Sequence, residues 1–334
     1  MLTPTYRIAL GSSTIVASDA SSRQPLLGLV ADSRIGAPAA TATLLFASGS
    51  DLSPSPGDSV TLELGYDDTT RVFTGVVGSV ARDFDLMTVH ALSPAIALAR
   101  MRVNQTYSNV NCGGVVSDLA QQASVDTDTI DDGFDLPAYA VTDRKSAFAH
   151  CVDLGERTGF ELYATGEGKL VFSKFAKVGP DRTWTYGRDL IVLSVARRKQ
   201  SFGKVEVWGE SPASSEGQDA SSWLTTDFSS FIGDAGSGDT LRVSDPAVRT
   251  KQAAEDAATG RLAWHARRAT FARVRLPGDA TVAIGDAVTV LLAPDDKQNG
   301  LYQVTRVRHE VSKTGGFVTE AELCGAGSPL GALL

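Results

Sequence analysis

Cysteine, histidine and long apolar runs are all scarce in this chain of 334 residues. The cysteines are Cys112, Cys151 and Cys324, an odd number with no CxxC spacing. This speaks against a disulfide framework, fits a reducing cytoplasm, and leaves the three thiols as small buried side chains. The four histidines, His90, His150, His265 and His309, show neither HExxH nor any other metal spacing, and no GxSxG element occurs. No metal, cofactor or hydrolytic nucleophile is therefore expected. His309 stands between Arg308 and Glu310 on a predicted strand, where an exposed cross-strand position is the ordinary role. No segment approaches the 18 or more apolar residues of a membrane span. The opening MLTPTYRIALGSSTIVAS carries one cation and no continuous apolar run, so it reads as strand and turn and not as a signal peptide. A net charge of −8 and a pI near 5.1 argue against a surface that binds nucleic acid or anionic lipid throughout.

What is present is β-sheet patterning. From residue 4 to 92, short segments with turn residues between them alternate apolar and polar positions, as in SVTLELGY, where Val60, Leu62 and Leu64 flank Thr61 and Glu63. After His90 the pattern becomes helical. CGGVVSDLAQQAS places Val115, Val116, Leu119 and Ala123 on one face, and DRKSAFAHCVDLGERTGF places Ala147, Cys151 and Leu154 on another, with Gly159 as its stop. Residues 211–245 are rich in Ser, Gly and Asp around Trp223, Phe228 and Phe231 and read as a long excursion. A helix is predicted after it, with Asp245 as N-cap, Pro246 at the first position, and Gly260 inside it at a cost of roughly 1 kcal/mol relative to Ala. Strands then resume to the end.

The acid-rich DTDTIDDG does not fit a calcium loop, because Ile130, Asp131 and Pro137 stand where a ligand, Gly and Glu are required, so it reads as a solvated turn. GEGKL lacks the residues of a phosphate loop and reads as a hairpin turn. Arg267, Arg268, Arg273 and Arg275, like the RRK at 197–199, form a basic cluster best read as the solvated face of strands, with nucleic-acid binding the weaker alternative.

One element occurs twice. GDSVTLELGYDD at 57–68 returns as GDAVTVLLAPDD at 285–296. Gly57, Asp58, Val60, Thr61, Asp67 and Asp68 match Gly285, Asp286, Val288, Thr289, Asp295 and Asp296 at a constant spacing. Each copy leads into a long strand, opened by Phe73 in one case and Tyr302 in the other, and then into a further strand. The pattern predicts a duplicated domain and an α+β, mainly β chain: a first β unit, a small barrel or sandwich, at 1–94, an α+β module at 95–180, a second such unit at 181–326 containing the excursion, and a tail at 327–334.

The order of parts, with VFTGVV, NQTYSNVNCGGVVSDLAQQAS, WTYGRDL and the closing GDAVTVLLAP, LYQVTRVRHEV and GGFVTEAEL, resembles the baseplate hub proteins of contractile tails. These are the phage late control D family and the hub portion of type VI secretion spike proteins. The resemblance implies a homotrimer whose two tube-like β-barrels per chain, at 1–94 and 181–326 on either side of the α+β middle module, make a pseudo-sixfold ring against a hexameric inner tube, with a spike and other baseplate components as partners. It also implies assembly in the cytoplasm, followed by incorporation into a phage tail or injection particle. No β-helical needle follows GSPLGALL, so the spike is expected as a separate subunit. Phe73, Val76, Tyr302, Val304 and Val307, on the long strands, are the candidate ring contacts. The competing reading is a glycan-binding or glycan-cleaving β protein with Trp223, Phe228 and Phe231 as a sugar platform.

Overall fold

A computed structural model of the chain describes residues 3–17, 26–177, 179–209 and 231–326. Its first half is β1 (Thr5–Leu10), β2 (Ser13–Val16), β3 (Leu26–Arg34), β4 (Thr41–Ala47), β5 (Ser59–Gly65), β6 (Thr69–Arg82) and β7 (Leu86–Leu92). The alternation in the sequence sets which face is buried, since successive side chains on a strand point to opposite sides. Val60, Leu62 and Leu64 on β5 pack with Ile8, Leu44, Phe46 and Phe73 in one core.

The middle module follows with α1 (Ile96–Arg100), β8 (Gln105–Asn111), α2 (Cys112–Gln122), β9 (Thr127–Ile130), β10 (Asp135–Val141), α3 (Ala147–Thr158), β11 (Glu161–Ala164) and β12 (Leu170–Ser173). Asn111 caps α2 by accepting the Gly114 N–H at 2.7 Å, and Ser146 caps α3 through the Ala149 N–H. Gly159, at φ 75°, ends α3 in the left-handed conformation that glycine adopts without strain. GEGKL is the turn of the β11–β12 hairpin. Part of the acid-rich stretch is a strand and not a turn: Thr127–Ile130 runs parallel to β12, with Asp126, Asp128 and Asp132 exposed, while the half-buried Asp131 accepts the Lys174 N–H at 2.8 Å.

The chain continues as β13 (Arg182–Thr185), β14 (Val192–Arg197), β15 (Lys204–Gly209), β16 (Ile232–Gly236), β17 (Thr240–Asp245), α4 (Lys251–Arg267), β18 (Thr270–Pro277), β19 (Ala287–Leu291), β20 (Gly300–Ser312) and β21 (Gly316–Gly325). Part of this stretch, expected within the second β unit, packs elsewhere. Val205 and Val207 of β15, with Ala253, Ala254, Ala257 and Ala258 of α4, share the core of α2 and α3. The described part of the excursion therefore supplies β16 and β17, which flank β15 in the sheet that backs α4. α4 starts later than the Asp-Pro signature predicts, with Thr250 as its cap. Asp245 instead ends β17, its carboxylate buried against Arg157 at 2.7 Å and Arg261 at 3.4 Å.

Gly260 has a physical reason to be in the helix. A Cβ there would lie 2.5 Å from the carbonyl carbon and oxygen of Thr158, where α4 crosses the end of α3. Gly260→Ala should therefore lower stability by about 1–3 kcal/mol, the cost of overpacking, although alanine is the better helix former by about 1 kcal/mol. Urea unfolding monitored by circular dichroism reads the sign directly.

The two β halves form one sheet. Its strand order is β14–β18–β21–β20–β3–β4–β7–β6–β5–β1–β2, with β19 on the other flank of β20 and β13 beyond it. The first stretch of β20 pairs with β19 and its later stretch, Arg306–Ser312, with β3. Among the described residues, the strand pairing closes neither half into a separate barrel. The chain is mainly β, with one large sheet, largely antiparallel, spanning both halves.

Candidate assembly surface

The repeated element folds in the same way twice. Gly57 and Gly285 have φ of 98° and 86°, a region open to glycine. Gly57 N–H donates to Val77 C=O and Val77 N–H to Asp58 C=O; Gly285 N–H donates to Val304 C=O and Val304 N–H to Asp286 C=O. Each aspartate carboxylate also accepts the backbone N–H three residues earlier, from Ser55 to Asp58 at 2.8 Å and from Ala283 to Asp286 at 3.0 Å. Val60 and Val288 are fully buried, while Thr61 and Thr289 are half-buried on the opposite face.

The likeness extends across the sheet. Following the strand pairing, a row runs Val77–Ala91–Ala42–Ala31 in the first half and Val304–Leu323–Ala272–Val195 in the second. β6 has a bulge between Val77 and Ser79 where it meets β7, and β20 has one between Val304 and Arg306 where it meets β21. The strand order β3–β4–β7–β6–β5–β1 corresponds to β14–β18–β21–β20–β19–β13. Two differences stand out. β1 is antiparallel to β5, whereas β13, which the chain enters from the middle module, is parallel to β19. Register also aligns Tyr302 with Gly75, and Phe73 with Gly300, so the two aromatics are not counterparts. The paired acids differ as well: Asp67 and Asp68 lie in a short exposed turn, whereas Asp295 caps a 3-10 turn over Asp296–Gln298.

Of the candidate contact residues, Phe73, Tyr302, Val304 and Val307 are buried inside their own halves, and only the side chain of Val76 is exposed. The surface signal lies elsewhere. Phe84, at the tip of the β6–β7 hairpin, is 98% exposed, and Ile191 and Val192 at β14 are 58% and 47% exposed.

Where the halves join, Arg306 of β20 forms an ion pair with Asp32 of β3 and lies 3.2 Å from Glu322. These hydrogen bonds to Asp32 hold the guanidinium pKa above its usual value. Arg34 also reaches Glu322, at 3.3 Å. His309 is not on an exposed face: β3 on one side, β21 on the other and the Phe317 ring enclose it, with Nδ1 3.1 Å from Thr319 Oγ1. Burial pushes its pKa down to about 4.

The basic cluster divides. Arg273 and Arg275 flank buried Val274 and face solvent, as expected. Arg267 is buried, donating to Glu161 at 2.9 Å and to Gly159 C=O at 3.1 Å. Arg268 meets the other oxygen of Glu161 at 3.0 Å and stacks 3.5 Å over Trp264. The three thiols are buried and unpaired, and desolvation raises Cys112 and Cys151 to about 12 and Cys324 to about 11. Among the described residues no group of three or more His, Cys, Asp or Glu is arranged to hold a metal ion, and no helix is long and apolar enough to cross a membrane. Trp223 and Phe228 lie outside the described residues, and Phe231 is half-buried.

The sheet, the inserted module and the repeated turn together define a fold found in tail proteins of phages and in a type VI secretion component. The 43 kDa tail protein of prophage MuSo2 from Shewanella oneidensis superposes with a TM-score of 0.69 at 12% identity, over 96% of this chain and 98% of that one. A tail protein from Neisseria meningitidis MC58 gives 0.71 at 13% identity, over 96% of each chain. The E. coli c3393 protein, a type VI secretion component described as structurally similar to the T4 tail proteins gp27 and gp5, gives 0.57 at 10% identity, over 91% of this chain and 74% of that one. By sequence the chain belongs to the family described as the Alg8 N-terminal domain, whose model matches residues 39–313. No curated protein matches it.

Proposed function

We propose that this chain is a structural baseplate hub, joining a hexameric inner tube to a separate trimeric spike in a phage tail or phage-derived contractile injection particle. It acts as a homotrimer assembled in the cytoplasm, with other baseplate components around it, and its role is mechanical, not catalytic. The observation that carries the reading is the repeat: one turn, one bulge and one strand order built twice in a chain. We take the two halves as duplicated tube-like domains. Cyclic closure repeats each interface at fixed angles, so two equivalent units in each of three chains supply the six positions a hexameric tube presents. The fold shared with tail proteins over nearly the whole chain supports the same role. The β halves would form the ring, and the middle module would occupy the periphery.

Electron microscopy of the intact particle, with native mass measurement of the chain bound to its spike, tests this. Three copies are expected, each giving two positions to the ring. Six copies that each use one half would overturn the reading.

A further inference from the structure

The junction between the two halves is a template for a junction that the single chain leaves open. Within the chain, the far stretch of β20 pairs with β3, and the β20–β21 hairpin brings Val311 and Phe317 into the first half's core. By the correspondence above, the far stretch of β6 plays the part of β20, and β14 plays the part of β3. Among the described residues neither has a partner on that side.

Burial records the difference. Val307, His309 and Val311 on β20 are buried, but their first-half counterparts Val80 and Arg82 are half-buried and exposed, and Phe84, in the place of Val311, is solvated. Leu29 and Ala31 on β3 are buried, whereas Leu193 and Val195 on β14 only partly cover the second core. Edge strands in soluble proteins are ordinarily guarded by proline, by charge or by a covering element. β14 carries charge only at its end, in Arg197, while Ile191, Val192, Leu193 and Val195 carry none of the first two.

We infer that β6 of one copy of this chain pairs antiparallel with β14 of the next, with the Phe84 hairpin tip seated on Leu193. The register follows from the internal junction. Arg308 opposite Asp32 becomes Ala81 opposite Ala196, and His309 opposite Ala31 becomes Arg82 opposite Val195. The contact is head-to-tail, so it builds a ring when its rotation closes. The inference rests on the duplication in the hub reading; the number of copies in the ring belongs to that reading alone.

Disulfide trapping in the full chain tests the register. Cross-strand Cα atoms lie about 4.5–5.5 Å apart, within the span a disulfide bridges. Both alanines are exposed and the native thiols are buried, so background oxidation is low. An equimolar mixture of Ala81→Cys and Ala196→Cys chains, under mild oxidation, should give a linked dimer at least tenfold above either variant alone. The Ala81→Cys, Ala196→Cys double variant should give a closed covalent trimer on non-reducing denaturing gels. Phe84→Ser, a change at a solvated residue, should lower the mixed yield severalfold without changing the unfolding midpoint. Trapping captures brief encounters, so failure to form the mixed disulfide, or equal yield when Ser194→Cys replaces Ala196→Cys, overturns the pairing. A closed ring of another size keeps the pairing and overturns the trimer; three copies by native mass without this link do the reverse.

Discussion

Glu161→Ala should destabilise the chain by about 3–5 kcal/mol, the range for breaking a buried ion pair from one side. Glu161 is 2% exposed and holds two guanidinium groups, Arg267 at 2.9 Å and Arg268 at 3.0 Å. The loss is unequal. Arg268 is nearly a third exposed and keeps its stack on Trp264, so it can turn to water. Arg267 is enclosed, and without the carboxylate its charge keeps, among the described residues, the Gly159 carbonyl as hydrogen-bond partner. The cost is therefore mainly that of stranding one buried cation, and not the net worth of the pair. This sets a second expectation: Glu161→Leu combined with Arg267→Met removes both charges and should recover most of the loss, because apolar residues of similar volume often replace a buried pair at little cost. Urea unfolding of the wild type, the single and the double variant measures both effects. A single variant within 1 kcal/mol of the wild type, or a double variant no better than the single, would contradict the assignment. The site matters for architecture, since Glu161 begins β11 in the middle module and Arg267 ends α4, one turn before β18 enters the large sheet.

That ion pair also marks where sequence reading stops. WHARRATFARVR carries its arginines at a spacing that suits a wet strand face, and for Arg273 and Arg275 the strand alternation places them there. Arg267 precedes the strand, on the last turn of a helix that crosses α3, and nothing local reports the carboxylate 106 residues away. The same holds for the junction of the halves. Asp32 and Arg306 are separated by 274 positions, and each segment reads as an ordinary strand whichever partner it takes. Alternation tells which face of a strand is buried, as on β5 and β18, but not which strand lies at its edge. The repeat was legible because it is local: a glycine with positive φ, an aspartate that closes its own turn, and a buried valine two residues on. The acid-rich segment at β9 and the cap at Thr250 show the opposite case, where tertiary pairing and packing override the nearest residue signature.

Acidification should weaken the seam between the halves through His309, by about 3 kcal/mol between pH 6.5 and pH 4. Burial depresses the folded-state pKa to about 4, with the nearby charge of Asp279 opposing the shift in part. In the unfolded chain the imidazole titrates near 6.5. Above that value both states hold a neutral ring and the histidine makes no pH-dependent contribution. Below it the unfolded state takes up a proton that the folded state refuses, so stability falls by about 1.4 kcal/mol per pH unit until the folded pKa is reached. The ring lies opposite Ala31 of β3 and Thr319 of β21, so the strain of charging it falls on the strands that join the two halves. Acid denaturation draws on carboxylates generally, so a falling stability in the wild type alone does not identify the group. His309→Gln isolates it: glutamine can still reach Thr319 but carries no proton in this range. Urea midpoints measured at pH 7.5, 6.5, 5.5 and 4.5 should diverge below pH 6.5, with the wild type losing about 2–3 kcal/mol more than His309→Gln by pH 4.5. Parallel curves for the two proteins would show that the seam is held without regard to the charge on His309.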